Sequence, residues 1–375
     1  MSQTSSPPPF RAEHIGSLVR PPELLRAKAA HDAGELDDDE LVAIENAAIH
    51  DVVKRQEALG LQVITDGEFR RTTYSDSFTT AGLRGVKIEV TEAEGWTASA
   101  SHGHRMARRI PKVVDRIEWN GSQNADDFRY LRSLTSRTPK VTLPGPCYIH
   151  YRAGRRNISQ DVYPDLDEFW SDLVQAYHRE MQSLAQAGCR YLQLDETSLI
   201  KLGDPRVRDL LAERGDDWRD LLRSYIEVVN AVLAGAPPGM TVGLHICRSQ
   251  DPSWQADVGY DAVARPLFSE LNVGIYFLEY DTGRAGSMIP LRSVPAGKFV
   301  VLGLVSTKVA QLETIDYLKR RIEDANRYMN LEQLALSPQC GFATSATEHV
   351  AVTEEIERAK LARVVEVAHA VWGTA

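Results

Sequence analysis

A chain of 375 residues with a net charge of −9 is long enough to bury a large core, as one big domain or two ordinary ones. Its acidic and basic residues are interspersed without a basic stripe, which argues against a nucleic-acid binder, and no apolar run approaches the roughly 18 residues a membrane span needs. Four scattered cysteines, Cys147, Cys189, Cys247 and Cys340, do not make a disulfide framework, so a reduced, cytoplasmic setting is expected.

The opening MSQTSSPPPF lacks the basic and apolar regions of a signal peptide and reads as a loose tail. Beyond it, short apolar, β-branched runs recur. They are EHIGSL (13–18), LQVITDGE (61–68), KVTLPGP (140–146), CRYLQLDE (189–196), MTVGLHIC (240–247), VGIYFLEYD (273–281), KFVVLGLV (298–305) and EQLALSPQC (332–340). Helical spacing falls between most of them. Leu41, Ile44, Ala48 and Val52 follow it, as do Phe169, Leu173, Tyr177, Met181 and Leu184. Segments 216–235, 257–271, 310–329 and 353–371 also read as helices. Strands alternating with helices predict a parallel sheet covered by helices, and eight such units predict an α/β fold of the (β/α)8 barrel type. Residues 67–139 break the rhythm. They hold two strand-like runs, GVKIEV and DRIEWNGS, and no long helical pattern, so a single barrel domain over 1–375 with a long insertion or lid after the second strand is expected.

The strands run apolar and end in chemistry. HIGS ends in Gly16-Ser17, VITDGE in Asp66-Gly67-Glu68, LQLDE in Asp195-Glu196, LHIC in His245 and Cys247, YFLEYD in Glu279, and LALSPQC in Cys340-Gly341. Singly, each has a bland reading as a helix cap, a core thiol or a bonded core histidine. In a barrel, all six would surround one mouth. Residues i and i+2 of a strand face the same side, so His245 and Cys247 are presented together. With Cys340 they offer one imidazole and two soft thiolates, a set that selects zinc, and Glu279 is the candidate fourth, displaceable ligand. Cys147 has no such context, and Cys189 reads as core.

These motifs, in this order along the chain, resemble the catalytic half of cobalamin-independent methionine synthase: HIGS, DGEF, Gly145-Pro146, QLDE, HIC, a strand-end Glu and PQCG. The resemblance implies a zinc-dependent methyltransferase of methionine biosynthesis. In it His245, Cys247, Glu279 and Cys340 hold zinc, Glu68 and Asp195 receive the amino group of homocysteine, and the turn Ile15-Gly16-Ser17 holds its carboxylate. The chain departs from the family where Thr197 replaces a proline, where Lys308 stands in place of a histidine proton donor, and where Tyr151 and Arg152 occupy the neighbourhood of an expected tryptophan. It is also too short for the second, folate-assisting barrel of the long members.

The implied partners are a small-molecule thiol and a methyl donor, folate or another compound, with no nucleic acid and no membrane; a homo-oligomer stays open. The thiol is expected to react as the zinc thiolate, since a free thiol near pKa 8.5 is mostly protonated at neutral pH. Lys308, His150, His102 and His104 are the candidate proton donors to a leaving group. A second relative by resemblance, the zinc-dependent epoxyalkane:coenzyme M transferase, keeps an epoxide-opening reading alive. Arg70, Arg71, Arg152 and Lys308 would suit its anionic thiol. A non-catalytic zinc- or thiol-binding protein is the third reading.

Overall fold

The computed structural model describes residues 9–92, 107–248, 259–346 and 352–375. The predicted alternation appears as a parallel barrel. β1 (Val63–Ile64) pairs with β4 (Thr138–Pro139), and β5 (Val141–Pro144) continues β4 past Lys140, whose N–H donates to Ile64 O at 2.8 Å. From β5 one unbroken sheet of six parallel strands follows in chain order: β6 (Tyr191–Glu196), β7 (Thr241–Ile246), β8 (Ile275–Glu279), β9 (Phe299–Val305) and β10 (Leu334–Pro338). The ring closes through the extended stretch around Ala12. Glu13 N donates to Leu336 O at 2.8 Å, and Leu336 N donates to Arg11 O at 2.9 Å. The same stretch meets β1 through Leu18 N to Gly67 O, 3.1 Å, and Thr65 Oγ1 to Gly16 O, 2.7 Å. The chain is therefore an α/β protein of the (β/α)8 barrel type.

The strands read as continuous apolar runs because both faces are covered: every residue of β6 and β8 is buried. The covering helices carry the apolar stripe the sequence spaced out. Helices α1 (Pro22–Asp32) and α2 (Asp38–Ala58) lie ahead of β1. In α2, Asp37 and Glu40 form a reciprocal capping box. The helix after β5, Leu166–Ala187, buries Phe169, Leu173, Tyr177, Met181 and Leu184 and stops at Gly188, whose φ of 99° suits the left-handed cap. Three more helices, Trp218–Ala234, Ile315–Asn326 and Glu354–Trp372, lie within the predicted spans. Among the described residues, no helix is long and apolar enough to cross a membrane.

Two expectations change. Residues 13–18 are not a regular strand; after the bonds at Glu13 and Leu336 the chain turns into the mouth, so a single bridge is its whole pairing. The insertion does form the expected hairpin, β2 (Leu83–Glu92) against β3 (Ala107–Trp119), but it also holds helix α3 (Gln123–Leu134). That helix is capped by Ser122 and buries Ala125, Phe128 and Leu131 at helical spacing. Its many charged residues hid so short a stripe. Residues 1–8, including most of the predicted tail, and His102 and His104 lie outside the described residues.

Candidate metal centre and substrate pocket

β7, β8 and β10 bring four side chains to one point. His245 lies on β7 and Cys247 just past its end, Glu279 ends β8, and Cys340 follows β10. One donor atom from each lies within 4.8 Å of the other three. All four side chains are buried. Cys247 Sγ and Cys340 Sγ stand 3.8 Å apart as free thiols, far beyond a disulfide bond. Two sulfurs on one tetrahedral zinc, each at about 2.3 Å, would stand about 3.8 Å apart. The contact between the two sulfurs lowers the Cys247 thiol below its ordinary value and raises that of Cys340.

The histidine is set up as a ligand. Its Nδ1 bonds Asp195 Oδ1 at 3.1 Å, and Asp195 also accepts from Gln193 Nε2 at 2.8 Å. Its Nε2 is buried without a hydrogen-bond partner, although Glu279 Oε1 lies 3.7 Å away. A carboxylate fixing one ring nitrogen while the other stays open is the usual support of a metal-bound imidazole. Burial lowers the His245 pKa, but Asp195 and Glu279 outweigh it and lift it to about 10. For Glu279, burial is outweighed by His245 and Lys308, and its carboxyl sits below the ordinary range. Its Oε1 accepts from Arg248 N at 2.7 Å. The donor set, the orphaned Nε2 and the sulfur spacing all fit a zinc ion.

Lys308, expected as a proton donor, lies 3.5 Å from Glu279 Oε2 and 3.4 Å from Asp281 Oδ2. Burial lowers its pKa, but the two carboxylates prevail and hold the ammonium charged. His150 is tied into an aromatic pocket, with Nδ1 2.8 Å from Tyr225 Oη, and burial pushes it down to about 4. Cys189 is core, as read. Cys147 is buried too, its Sγ 3.8 Å from Tyr225 O.

Glu68 faces the same mouth. It has a φ of 61°, the one positive value among non-glycine residues described, a conformation that costs about 1–2 kcal/mol for an L-residue. Its Oε1 accepts from Thr142 Oγ1 at 2.7 Å, while Oε2 is buried and unpartnered. Burial, opposed by Arg71 and helped by Asp195, raises its pKa. Gly16 packs against it: with a φ of 141°, any Cβ there would lie 2.6 Å from Thr142 Cγ2 and 3.3 Å from Glu68 Oε1. In the turn Ile15-Gly16-Ser17 the carbonyls accept from Gln193 Nε2, Thr65 Oγ1 and Phe342 N. The turn's own N–H groups donate to no described residue.

The four basic residues singled out in the sequence separate. Arg70 is paired with Glu45 and Asp127, and Arg71 is spent on Thr142 and Glu68, so both serve the structure. Lys308 is paired as described above, and Arg152 makes no ion pair among the described residues. Sequence reasoning missed the chain of polar groups below the mouth, in which Lys140 bonds Glu13, His14 O and Gln193. Gln193, two residues before Asp195 on one strand, was the available signal.

A barrel with a His–Cys–Glu–Cys group and two acidic side chains in its mouth defines the class: a barrel enzyme with a candidate metal centre. The chain belongs to the family described as cobalamin-independent synthase, catalytic domain, whose model matches residues 10–370. It is 38% identical over 367 residues to the uncharacterized protein YxjH of Bacillus subtilis (strain 168), covering 97% of this chain and 95% of that one. It is 25% identical to a methionine synthase of Pyrococcus abyssi, covering 94% of this chain and 91% of that one. A solved structure from Listeria monocytogenes, provisionally assigned as a vitamin-B12 independent methionine synthase, superposes with a TM-score of 0.75 at 33% identity, covering 97% and 98%.

Proposed function

We propose that this protein is a zinc-dependent thiol S-methyltransferase that uses homocysteine or a close analogue. The convergence of His245, Cys247, Glu279 and Cys340 within 4.8 Å, next to the unpartnered carboxylate oxygen of Glu68, carries the reading. Zinc held by those four residues supplies a Lewis acid that lets a thiol ionise at neutral pH. Asp195 orients His245 through Nδ1. Glu279 would be the exchangeable holder of the metal, and Lys308, beside its carboxylate, would hold a proton at Nζ for a leaving group. Glu68 Oε2, with Asp195, accepts from the substrate ammonium, and the free N–H groups of the turn 15–17 receive its carboxylate. The buried mouth excludes water and strengthens each of these contacts.

The purified protein is expected to hold about one zinc per chain. Cys247→Ser and Cys340→Ser should each lose it on dialysis at neutral pH, whereas Glu279→Gln should keep most of it. X-ray absorption should show a light-atom ligand replaced by sulfur when homocysteine is added, and mass spectrometry should find methionine when a competent methyl donor is supplied. Full zinc in both cysteine variants, or a metal shell that ignores the thiol, would sink the reading. Arg152, a cation without an ion pair at the mouth, favours the second reading of an epoxide-opening enzyme with a sulfonated thiol. Turnover with coenzyme M and an epoxide, and none with homocysteine, would select that reading.

A further inference from the structure

The loops after β1, β5 and β6 bring a second group of side chains to the Cys247 side of the metal group. Lys201, in the turn Lys201–Gly203, is 4% exposed. Its ammonium makes no ion pair or hydrogen bond among the described residues, and Nζ is 5.7 Å from the centre of the Tyr151 ring. Arg152, in the short helix Tyr148–Ala153, stacks 5.1 Å over Tyr148, and its Nε is buried without a partner. Tyr74 Oη and Thr197 Oγ1 are also buried and unpartnered. Lys201 lies within electrostatic range of Arg152, Cys247 and Glu279, and Tyr74 within range of Arg152 and Cys247.

Two cations with no ion pair among the described residues, and two hydroxyls that touch little beyond each other and Arg152, thus share one corner of the mouth. Glu196 is near; its Oε1 is held by Ser198, its Oε2 is buried without a hydrogen-bond partner, and it forms no ion pair with either cation. A divalent ion on two thiolates and one carboxylate leaves one net negative charge. Lys308 already pairs with the carboxylate of that group, and neither Lys201 nor Arg152 forms an ion pair with it among the described residues. A buried ammonium without an ion pair, as at Lys201 beside the partly buried Arg152, is costly and marks a place where a ligand supplies the contact.

We infer that Lys201 and Arg152, with the hydroxyls of Tyr74 and Thr197, form an oxyanion subsite beside Cys247, and that the methyl donor is a compact molecule whose acidic group docks there. The inference builds on the methyl-transfer reading above. Because the subsite lies within electrostatic range of Cys247 and Glu279, the acid and the carbon to be transferred belong to one small molecule. Carboxylate, sulfonate and phosphate share the required chemistry. The subsite positions the donor and takes no part in bond making.

The test titrates the intact protein as purified with acetate, methanesulfonate and inorganic phosphate by calorimetry, with and without saturating homocysteine. It is repeated on Lys201→Met and Arg152→Gln, with zinc content and homocysteine affinity measured for every protein. At least one anion should bind the wild type with homocysteine present, and the preferred one identifies the acid. Its affinity should fall about ten- to a hundredfold in each variant, the worth of one charge-assisted hydrogen bond, with zinc and homocysteine binding retained. Three results would overturn the subsite: no anion binding, equal binding in all three proteins, or variants that lose zinc while binding the anion normally. An anion that competes with homocysteine places the acid on the thiol and overturns the assignment to the donor. A wild type without zinc or homocysteine affinity refutes the methyl-transfer reading instead, and the thiol-free titrations still decide whether the subsite exists.

Discussion

Glu68 and Asp195 look alike in the sequence, each an acid at a strand end, but the structure gives them different work. Asp195 spends Oδ1 on His245 and Gln193, while Glu68 keeps a buried oxygen free. Glu68→Gln should therefore weaken homocysteine about ten- to a hundredfold, leave an amine-free thiol of similar length nearly unaffected, and leave zinc in place. Asp195→Asn should also loosen the metal, by about ten- to a hundredfold in affinity, because His245 loses the group that orients it. Thiol titrations and zinc competition on the same two proteins check both; equal losses for the two thiols in Glu68→Gln would remove the ammonium contact. The residue types and their order were legible in the sequence because each sits beside a turn signal at a strand end. Their division of labour was not, since it depends on which carboxylate meets the imidazole across the β6–β7 register, where Asp195 pairs with His245.

At the scale of elements, the C-terminal helix Glu354–Trp372 is docked through its first turn. Glu357 Oε2 accepts from Val19 N at 2.6 Å, so this helix is tied to the loop leaving the first strand position. Burial pushes the Glu357 carboxyl from 4.5 up to about 8, against the pull of the Val19 N–H and Arg55. The folded state then holds a proton that the unfolded chain releases between those two values. This group's penalty is absent below about pH 4.5, grows as pH rises, and is complete above about 8. Glu357→Gln should thus match the wild type near pH 5 and gain on it toward pH 8, by at most about 1.4 kcal/mol per pH unit. Urea unfolding at several pH values reads this out, and parallel stability curves would refute it. Elements were legible where burial is two-sided and long, as in β6 and β9. They were hard to see where one bridge does the pairing, as around Ala12, or where a short apolar stripe is crowded by charge, as in α3.

At the scale of the molecule, a polar chain runs up the barrel axis. Glu13 and Lys140, both fully buried, pair at 3.3 Å; Lys140 bonds Gln193 at 2.9 Å, and Gln193 bonds Asp195. Such a chain is strong when complete and costly when broken. Lys140→Met should destabilise the fold by about 3–5 kcal/mol, because it strands Glu13. Adding Glu13→Gln should recover much of the loss. Chemical denaturation of the single and double variants measures this, and a double variant as weak as the summed singles would count against it. No periodicity announces such a chain, because its members come from three separate strand positions and meet only when the ring closes.

The ring is not equally bonded all the way round. Five successive ladders join β5 to β10, and His245, Glu279 and the flanking cysteines grow from that part. The turn 15–17 and Glu68 grow from the other side, where a single bridge, the two-residue ladder of β1 with β4 and a few isolated bonds do the joining. The candidate metal centre is thus anchored in the heavily bonded arc, and the proposed contacts of Glu68 and the turn 15–17 with a thiol substrate lie in the sparsely bonded one. Substitutions that reshape the sparsely bonded arc disturb few ladder bonds, so on the reading proposed above a lineage can change its thiol while inheriting the same metal group. Close kinship within such a family is then a better guide to how a bond is made than to which molecule supplies it.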